Sequence, residues 1–308
     1  MGLDEWHHSS SAYCDVPITD ASILDDILPS LYQSAAKTLS PSDAAETAMK
    51  HYLSGKWRLT KVVYTADAIF MDALSNSEST ALYTDILRRL PFRTFYLHCP
   101  REHSLGLLIH VEPYENENCL LVVGIAYREQ AGLACKLISL PFQNGETPQQ
   151  ALDHLILSMH LSGPGPHSRS EPDDMVATYT QSLIEALSFS YYLASQNADV
   201  HPVRTSKERR CLRSNGTPLR IREWEIGFRV GCTIAQMYRR RPTGYLPTAS
   251  AHESASMKRP HVRRAHWHHY WTGKGRSVLV VKWLLPAIIH GDPDKLIPIS
   301  HGAPSFPS

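Results

Sequence analysis

FRTFYLHCPREHSLGLLIHVEPYENENCLLVVGIAYREQAGLACKLISLPF, residues 92–142, decides the fold. It holds four runs rich in β-branched and aromatic residues: FRTFYLHC, HSLGLLIHVE, NCLLVVGIAY and LACKLISLPF. Turn-forming residues separate them. Short runs of this composition at this spacing predict an antiparallel meander. TPQQALDHLILSMHL follows, with Thr147 as cap and Pro148 at the first helical position, and predicts a helix packed on that sheet. DDMVATYTQSLIEALSFSYYLASQ is the longest helical stretch. It is apolar on most sides, which predicts a buried central helix.

Upstream, ASILDDIL sets Ile23, Leu24, Ile27 and Leu28 on one helical face before Pro29. SPSDAAETAMKHYL begins with Ser40 as N-cap and Pro41 at N1, with Gly55 as the expected stop. WRLTKVVYTAD reads equally as strand or helix. SESTALYTDILRRL predicts a helix capped by Ser77 and stopped by Pro91. Downstream, EIGFRVGCTIAQMYRRR predicts a helix ending in three arginines, a placement the helix dipole favours. SVLVVKWLLPAII predicts a strand. The fold class is therefore α+β: N-terminal helices, a central antiparallel sheet, a long buried helix and a C-terminal basic β-hairpin. The chain reads as one domain over 1–308, which subdivides into an acidic region, 1–200, and a basic region, 201–308.

Composition narrows the function class. Of 308 residues, 31 are Lys or Arg and 30 are Asp or Glu, a net charge of +1. Residues 1–200 hold 12 basic and 24 acidic residues, a balance of −12; the remaining 19 basic and 6 acidic residues give +13. Such halves either neutralise each other within one fold or face different partners. No apolar run has the length of a membrane span, and the N-terminus lacks the pattern of a secretory signal. The six cysteines, at 14, 99, 119, 135, 211 and 232, form no CxxC pair and read as reduced, buried thiols. A cytoplasmic chain without membrane contact is the expectation.

KRPHVRRAHWHHYWTGKGR, residues 258–276, carries most of the unusual chemistry: six Lys or Arg, four His, three large aromatics and no acid. HVRRAHWHHYW predicts an extended strand, turning at Thr272–Arg276 into VLVVKW. Period two then places Val262, Arg264, His266, His268 and Tyr270 on one face. His261, Arg263, Ala265, Trp267, His269 and Trp271 share the other. Three chemistries suit such a ribbon. A metal site is disfavoured, because no acid or Cys is near and flanking arginines repel a cation; no metal or other cofactor is expected. Metal-independent RNA cleavage needs an acid, a base and a cation for the phosphorane; if the protein is an enzyme, His266 and His268 (or His261) fit as acid and base, with Arg263 or Arg264 on the phosphate. Binding of an anionic polymer would use Arg259, Arg263, Arg264, Lys274 and Arg276 on phosphates and Trp267, Tyr270 and Trp271 as stacking faces, with Arg229 on its helix nearby. The plain alternative is a structural hairpin whose arginines pair with the acidic half.

RPHVRRAHWHHYWTGKG followed by VKWLLP resembles the signature of an anti-CRISPR family of the type V-A group, carried by phages, plasmids and other mobile elements. Three further blocks resemble that family in the same order: WRLTKVVYTAD (57–67), RLPFRTFYLHCP (89–100) and WEIGFRVGCTIAQMYRR (224–240). The matching positions are Trp57, Arg58 and Tyr64; Pro91 and Tyr96; Trp224, Gly227, Arg229 and Gly231; and Pro260, His261, Arg263, Arg264, His266, Trp267, His268, Trp271 and Gly273. Phe92-Arg93 and the acidic N-terminal half depart from the pattern. The resemblance implies lowered synthesis of the effector nuclease: recognition of the N-terminal peptide of its nascent chain, then loss of the mRNA under translation. Implied partners are that nascent polypeptide and mRNA or the ribosome. The groove reading the peptide is expected to draw on Trp57, Arg58, Tyr64, Tyr96 and Trp224. A binding protein is the leading expectation, and an endoribonuclease or general RNA- or ribosome-binding regulator the alternative.

Overall fold

The alternation of apolar side chains in the meander requires cover on both faces of the sheet, and the structure supplies it. The computed structural model describes residues 32–99, 105–113, 118–129, 132–161, 173–203, 211–212, 218–219, 221–239 and 261–289. The elements are α1 (Pro41–Thr60), β1 (Val62–Ala66), α2 (Ala68–Ser75), α3 (Thr84–Leu87), β2 (Thr94–His98), β3 (Gly106–Pro113), β4 (Cys119–Glu129), β5 (Gly132–Phe142), α4 (Pro148–Leu161) and α5 (Asp173–Leu193). Next come β6 (Val200–Pro202), the two-residue strands β7 (Cys211–Leu212) and β8 (Pro218–Leu219), β9 (Arg222–Ile226) and α6 (Phe228–Arg239). The last strands are β10 (His261–Arg263), β11 (His266–Thr272), β12 (Val278–Leu284) and β13 (Ala287–Ile289).

A seven-stranded sheet runs β5-β4-β3-β2-β1-β9-β6. The predicted meander is its antiparallel portion, β2 to β5. Two parallel pairings, β1 with β2 and β1 with β9, extend it beyond what the meander foretold. Val63, Tyr96, Leu108 and Val122 line one face and pack under Leu53 and Trp57 of α1. Val62, Tyr64, Phe95, Leu97, Leu107, Ile109, Leu121, Val123 and Ile125 line the other, in a core shared with α2, α4, α5, α6 and the C-terminal hairpin.

Helix α1 begins as its sequence dictates, with Ser40 as N-cap accepting from Asp43 N and Pro41 next. It does not stop at Gly55. It continues to Thr60 because Trp57, 4% exposed, buries its ring in the core and donates Nε1 to Val62 O at 2.8 Å. Lys61, in a left-handed conformation (φ 53), then turns the chain into β1. WRLTKVVYTAD is thus helix first and strand second. The helix expected from Ser77 forms only at Thr84–Leu87. Ser77 instead donates to Ala73 O and accepts the Trp283 indole, which draws it to α2 and the hairpin. Residues 225–226 belong to β9, and helix α6 starts only after Gly227. Helix α4 keeps its predicted start: Gln150 N donates to Thr147 Oγ1 and Thr147 N to Gln150 Oε1, a reciprocal cap. ASILDDIL lies outside the described residues.

Helix α5 is apolar nearly all round because it has neighbours on opposite sides. Phe189 faces the sheet, its ring 5.8 Å from Tyr64 and 5.9 Å from Phe95. Tyr191 and Tyr192 face the hairpin: Tyr191 meets Trp267 at 5.0 Å and Tyr192 meets Trp283 at 5.7 Å, both edge to face. Burial at this density makes truncation costly. Trp283→Ala is expected to lower unfolding free energy by about 3–5 kcal/mol, whereas Trp271→Ala, at a ring 57% exposed, should stay within about 0.5 kcal/mol. Urea denaturation checks the pair, and similar losses in both variants would contradict this packing.

Candidate nucleic-acid interface

The C-terminal segment folds into one hairpin with two ladders. β11 pairs antiparallel with β12, His266 opposite Leu284 and Thr272 opposite Val278. β10 pairs with β13, Arg263 opposite Ala287, with no slip in register between the ladders. The hydrogen bonding is interrupted at Arg264–Ala265 and Leu285–Pro286. Pro286, opposite Arg264, has no N–H to give, and the outward-pointing Ala265 O accepts from Glu78 N at 2.8 Å. The turn uses Gly273 and Gly275 at φ 80 and 73, and Arg276 at φ 54. The hairpin lies against the helices rather than extending the seven-stranded sheet.

Period two separates its faces. Ala265, Trp267, Leu279, Val281 and Trp283 are buried in the core. On the opposite face His266 is half-buried, His268 exposed, and Tyr270 and Lys282 half-buried. His266 and His268 stand about 7 Å apart by strand geometry, beside exposed Arg264. The His268 ring lies 5.6 Å from Tyr270, and Lys282 Nζ sits 5.4 Å above the Tyr270 centroid. Tyr270 Oη donates to Gln196 Oε1 at 2.6 Å, which fixes the ring upright. Arg263, Trp271, Lys274 and Arg276 are exposed along the same ribbon and its tip. Among the described residues, no carboxylate pairs with Arg263, Arg264, Lys274, Arg276 or Lys282. No group of three His, Cys, Asp or Glu there is placed to hold a metal ion.

His269 follows a different path. It points inward, its Nε2 2.9 Å from Tyr191 Oη and its ring edge-on to Tyr83 at 5.2 Å. Tyr191 Oη in turn accepts from Tyr83 N at 3.1 Å. Tyr191 Oη and His269 Nε2 thus share a hydrogen bond whose direction is set by the imidazole tautomer. Sequence reasoning also missed Lys282, which lies opposite His268 on the return strand. Cross-strand parity about the Gly-Lys-Gly turn is the signal that reveals it.

The remaining site expectations fall in other places. Trp57, Tyr64 and Tyr96 are core residues at 4%, 2% and 1% exposure, so their rings present no surface to a peptide. Burial also pushes the Tyr64 phenol up to about 12. Arg58 and Trp224 are half-buried. Arg229 is far from free: its Nε and Nη2 reach Asp199 Oδ1 at 2.8 and 2.6 Å, and His201 Nε2 meets the same oxygen at 2.7 Å. Burial raises the Asp199 carboxyl, but these two partners outweigh it and hold it below the usual carboxylate range. Gly227 and Gly231 serve that joint too, since a Cβ at Gly227 would overlap the Phe70 ring and one at Gly231 the Asp67 carboxylate. Arg259 lies outside the described residues, and only the backbone of His261 is placed.

Burial, aided by the charge of His268, pulls His269 below 6.5. As pH falls, the unfolded chain takes up this proton first, so stability is lost from about 6.5 downward toward the lower folded value. Denaturation midpoints should drop between about pH 7.5 and 5.5, and His269→Gln should shrink that drop. An undiminished drop in the variant would place the sensitivity elsewhere.

Among the described residues no helix is long and apolar enough to cross a membrane. Cys99 and Cys119 are buried and Cys232 is exposed, all three as free thiols. No curated protein matches the chain. One family model does, over residues 64–291, which is 228 of the 308 residues and runs from the core strand β1 to just past the ribbon. The chain belongs to that AcrVA2-like family, the anti-CRISPR type V subtype A2 family.

Proposed function

We propose that this anti-CRISPR protein lowers synthesis of a type V-A effector nuclease by recognising the N-terminal peptide of the nascent chain and triggering loss of the mRNA being translated. In this reading the outer face of the hairpin holds RNA, as mRNA or within the ribosome. The observation that carries it is the cationic, aromatic face bounded by Arg264, His268, Tyr270 and Lys282, which no carboxylate of the described residues neutralises. Residues 254–291 contain seven Lys or Arg and no Asp or Glu. Guanidinium groups grip phosphates through paired donors, and an exposed indole such as Trp271 offers a stacking face to a base. Release of condensed counterions supplies much of the affinity, whatever the sequence bound.

A second reading rests on one observation: His266 and His268 share the exposed face beside Arg264. A base for the 2′-hydroxyl, an acid for the leaving oxygen and a cation for the phosphorane would then stand together, as an endoribonuclease requires. Target mRNA incubated with the protein, with and without EDTA and without ribosomes, separates the two. Cleavage that survives EDTA and vanishes in His266→Ala establishes the enzyme, and intact RNA excludes it.

For the binding reading, RNA affinity is measured against salt. Arg263→Ala and Arg264→Ala should each flatten the log–log slope by about one unit per lost phosphate contact. Slopes equal to that of the unaltered protein would remove the ribbon from RNA contact.

A further inference from the structure

The hairpin has two edges, and the protein treats them differently. Along β12 each outward residue is held by at least one backbone hydrogen bond. Leu279 O accepts Arg89 Nη1 at 2.5 Å, Val281 O accepts Gln196 N at 3.0 Å, and Trp283 exchanges both its backbone groups with the Asn197 side chain at 3.0 and 2.8 Å. The backbone groups of these three residues therefore point away from β11. In an antiparallel ladder the residues opposite them point theirs outward on the other edge. Those are Trp271, His269 and Trp267. Ala265, one step earlier in the same parity, is capped by Glu78 N, but among the described residues the backbone groups of Trp267, His269 and Trp271 meet no partner. Three consecutive outward positions thus offer three N–H and three C=O groups.

We propose that the free edge of β11 is a seat for an extended acidic polypeptide, which adds to the hairpin as a third strand. The inference gives the peptide-recognition half of the function proposed above a place, and rests on that half. An added strand is held by main-chain hydrogen bonds and selected through its alternate side chains. Residues of the incoming strand opposite His266, His268 and Tyr270 share their face, so acids at every second position lie toward its fixed cations, Arg264 and Lys282. The intervening positions lie along the Trp267, His269 and Trp271 edge. The pattern selected alternates acidic and apolar residues. A second copy of this chain is the poorer occupant, because edge-to-edge pairing would bring Arg264 and Lys282 of one copy toward those of the other.

The test uses the full-length protein and a heptapeptide alternating Glu and Val. Amide hydrogen exchange is followed residue by residue. On peptide addition the amides of Trp267, His269 and Trp271 should slow by about tenfold or more, while that of His268, already bonded to β12, should not change. N-methylating one alternate set of peptide amides should abolish binding, and N-methylating the other set should spare it. The proposal is overturned if the three amides gain no protection, if both methylated peptides bind equally, or if an RNA oligonucleotide of equal charge protects the same amides. It is overturned equally if the protection follows protein concentration without peptide, the mark of self-pairing. Arg264 borders both the peptide's acids and the RNA face, whereas Arg263 lies off the His266–Tyr270 row; the RNA salt slope of the Arg263 variant therefore tells loss of the RNA face from loss of the peptide seat.

Discussion

Two tyrosines on one helix hold the C-terminal hairpin of this molecule in place. Tyr191 and Tyr192 of α5 receive Trp267 and Trp283 edge to face, and Phe70 closes on Trp283 at 5.5 Å. The same helix turns Phe189 to the sheet. Sheet, helix and hairpin are therefore stacked through a single aromatic column. Its consequence for function follows from the two-residue repeat of a strand. Once Trp267 and Trp283 are fixed inward, the residues one step along each strand, His266, His268 and Lys282, have only the outside available. The polarity of the ribbon is set by packing on its other face.

The family blocks divide along the same line. WRLTKVVYTAD makes the joint between α1 and β1, with Trp57 reaching Val62 and Thr60 Oγ1 reaching Thr94 O at 2.7 Å. RLPFRTFYLHCP leads into β2, where Tyr96 fills the space above Gly106. WEIGFRVG makes the joint between β9 and α6, through Gly227, Gly231 and the Arg229–Asp199 pair. These three blocks are accounted for by turning and packing the chain. Among the described residues of the four blocks, the fourth alone leaves a row of charged and aromatic side chains beyond what its own folding needs. Among the described residues, Arg263, Arg264, Lys274, Arg276 and Lys282 of the ribbon meet no carboxylate after folding, whereas Arg229 is paired with Asp199.

The meander, the buried long helix and the hairpin were legible because each depends on local periodicity. Caps such as Ser40 and Thr147 were legible for the same reason. The misreadings share a cause in distant contacts. Gly55 stays helical because Trp57, two residues on, is anchored in the core, and Ser77 is diverted by Trp283, 206 residues away. Parallel pairing of β1 with β9 joins segments about 160 residues apart in sequence, and no local pattern encodes such a partner. At the site, strand periodicity was enough to place His266 and His268 in an outward row, but it could not show that Trp57, Tyr64 and Tyr96 face inward. Aromatic residues in a family-matching block suit a core as well as a groove, and only the neighbours decide.

Whether the outer face of the hairpin meets RNA during translation decides the rest. The most direct measurement is a residue-resolved crosslinking map of the full-length protein in a translating lysate that makes the effector nuclease. RNA adducts are expected on Tyr270, Trp271 and the flanking Lys274 and Lys282, lost when translation of that message is withheld. A map with RNA adducts confined to other surfaces, or with none on the hairpin, would contradict an RNA-binding role for this face.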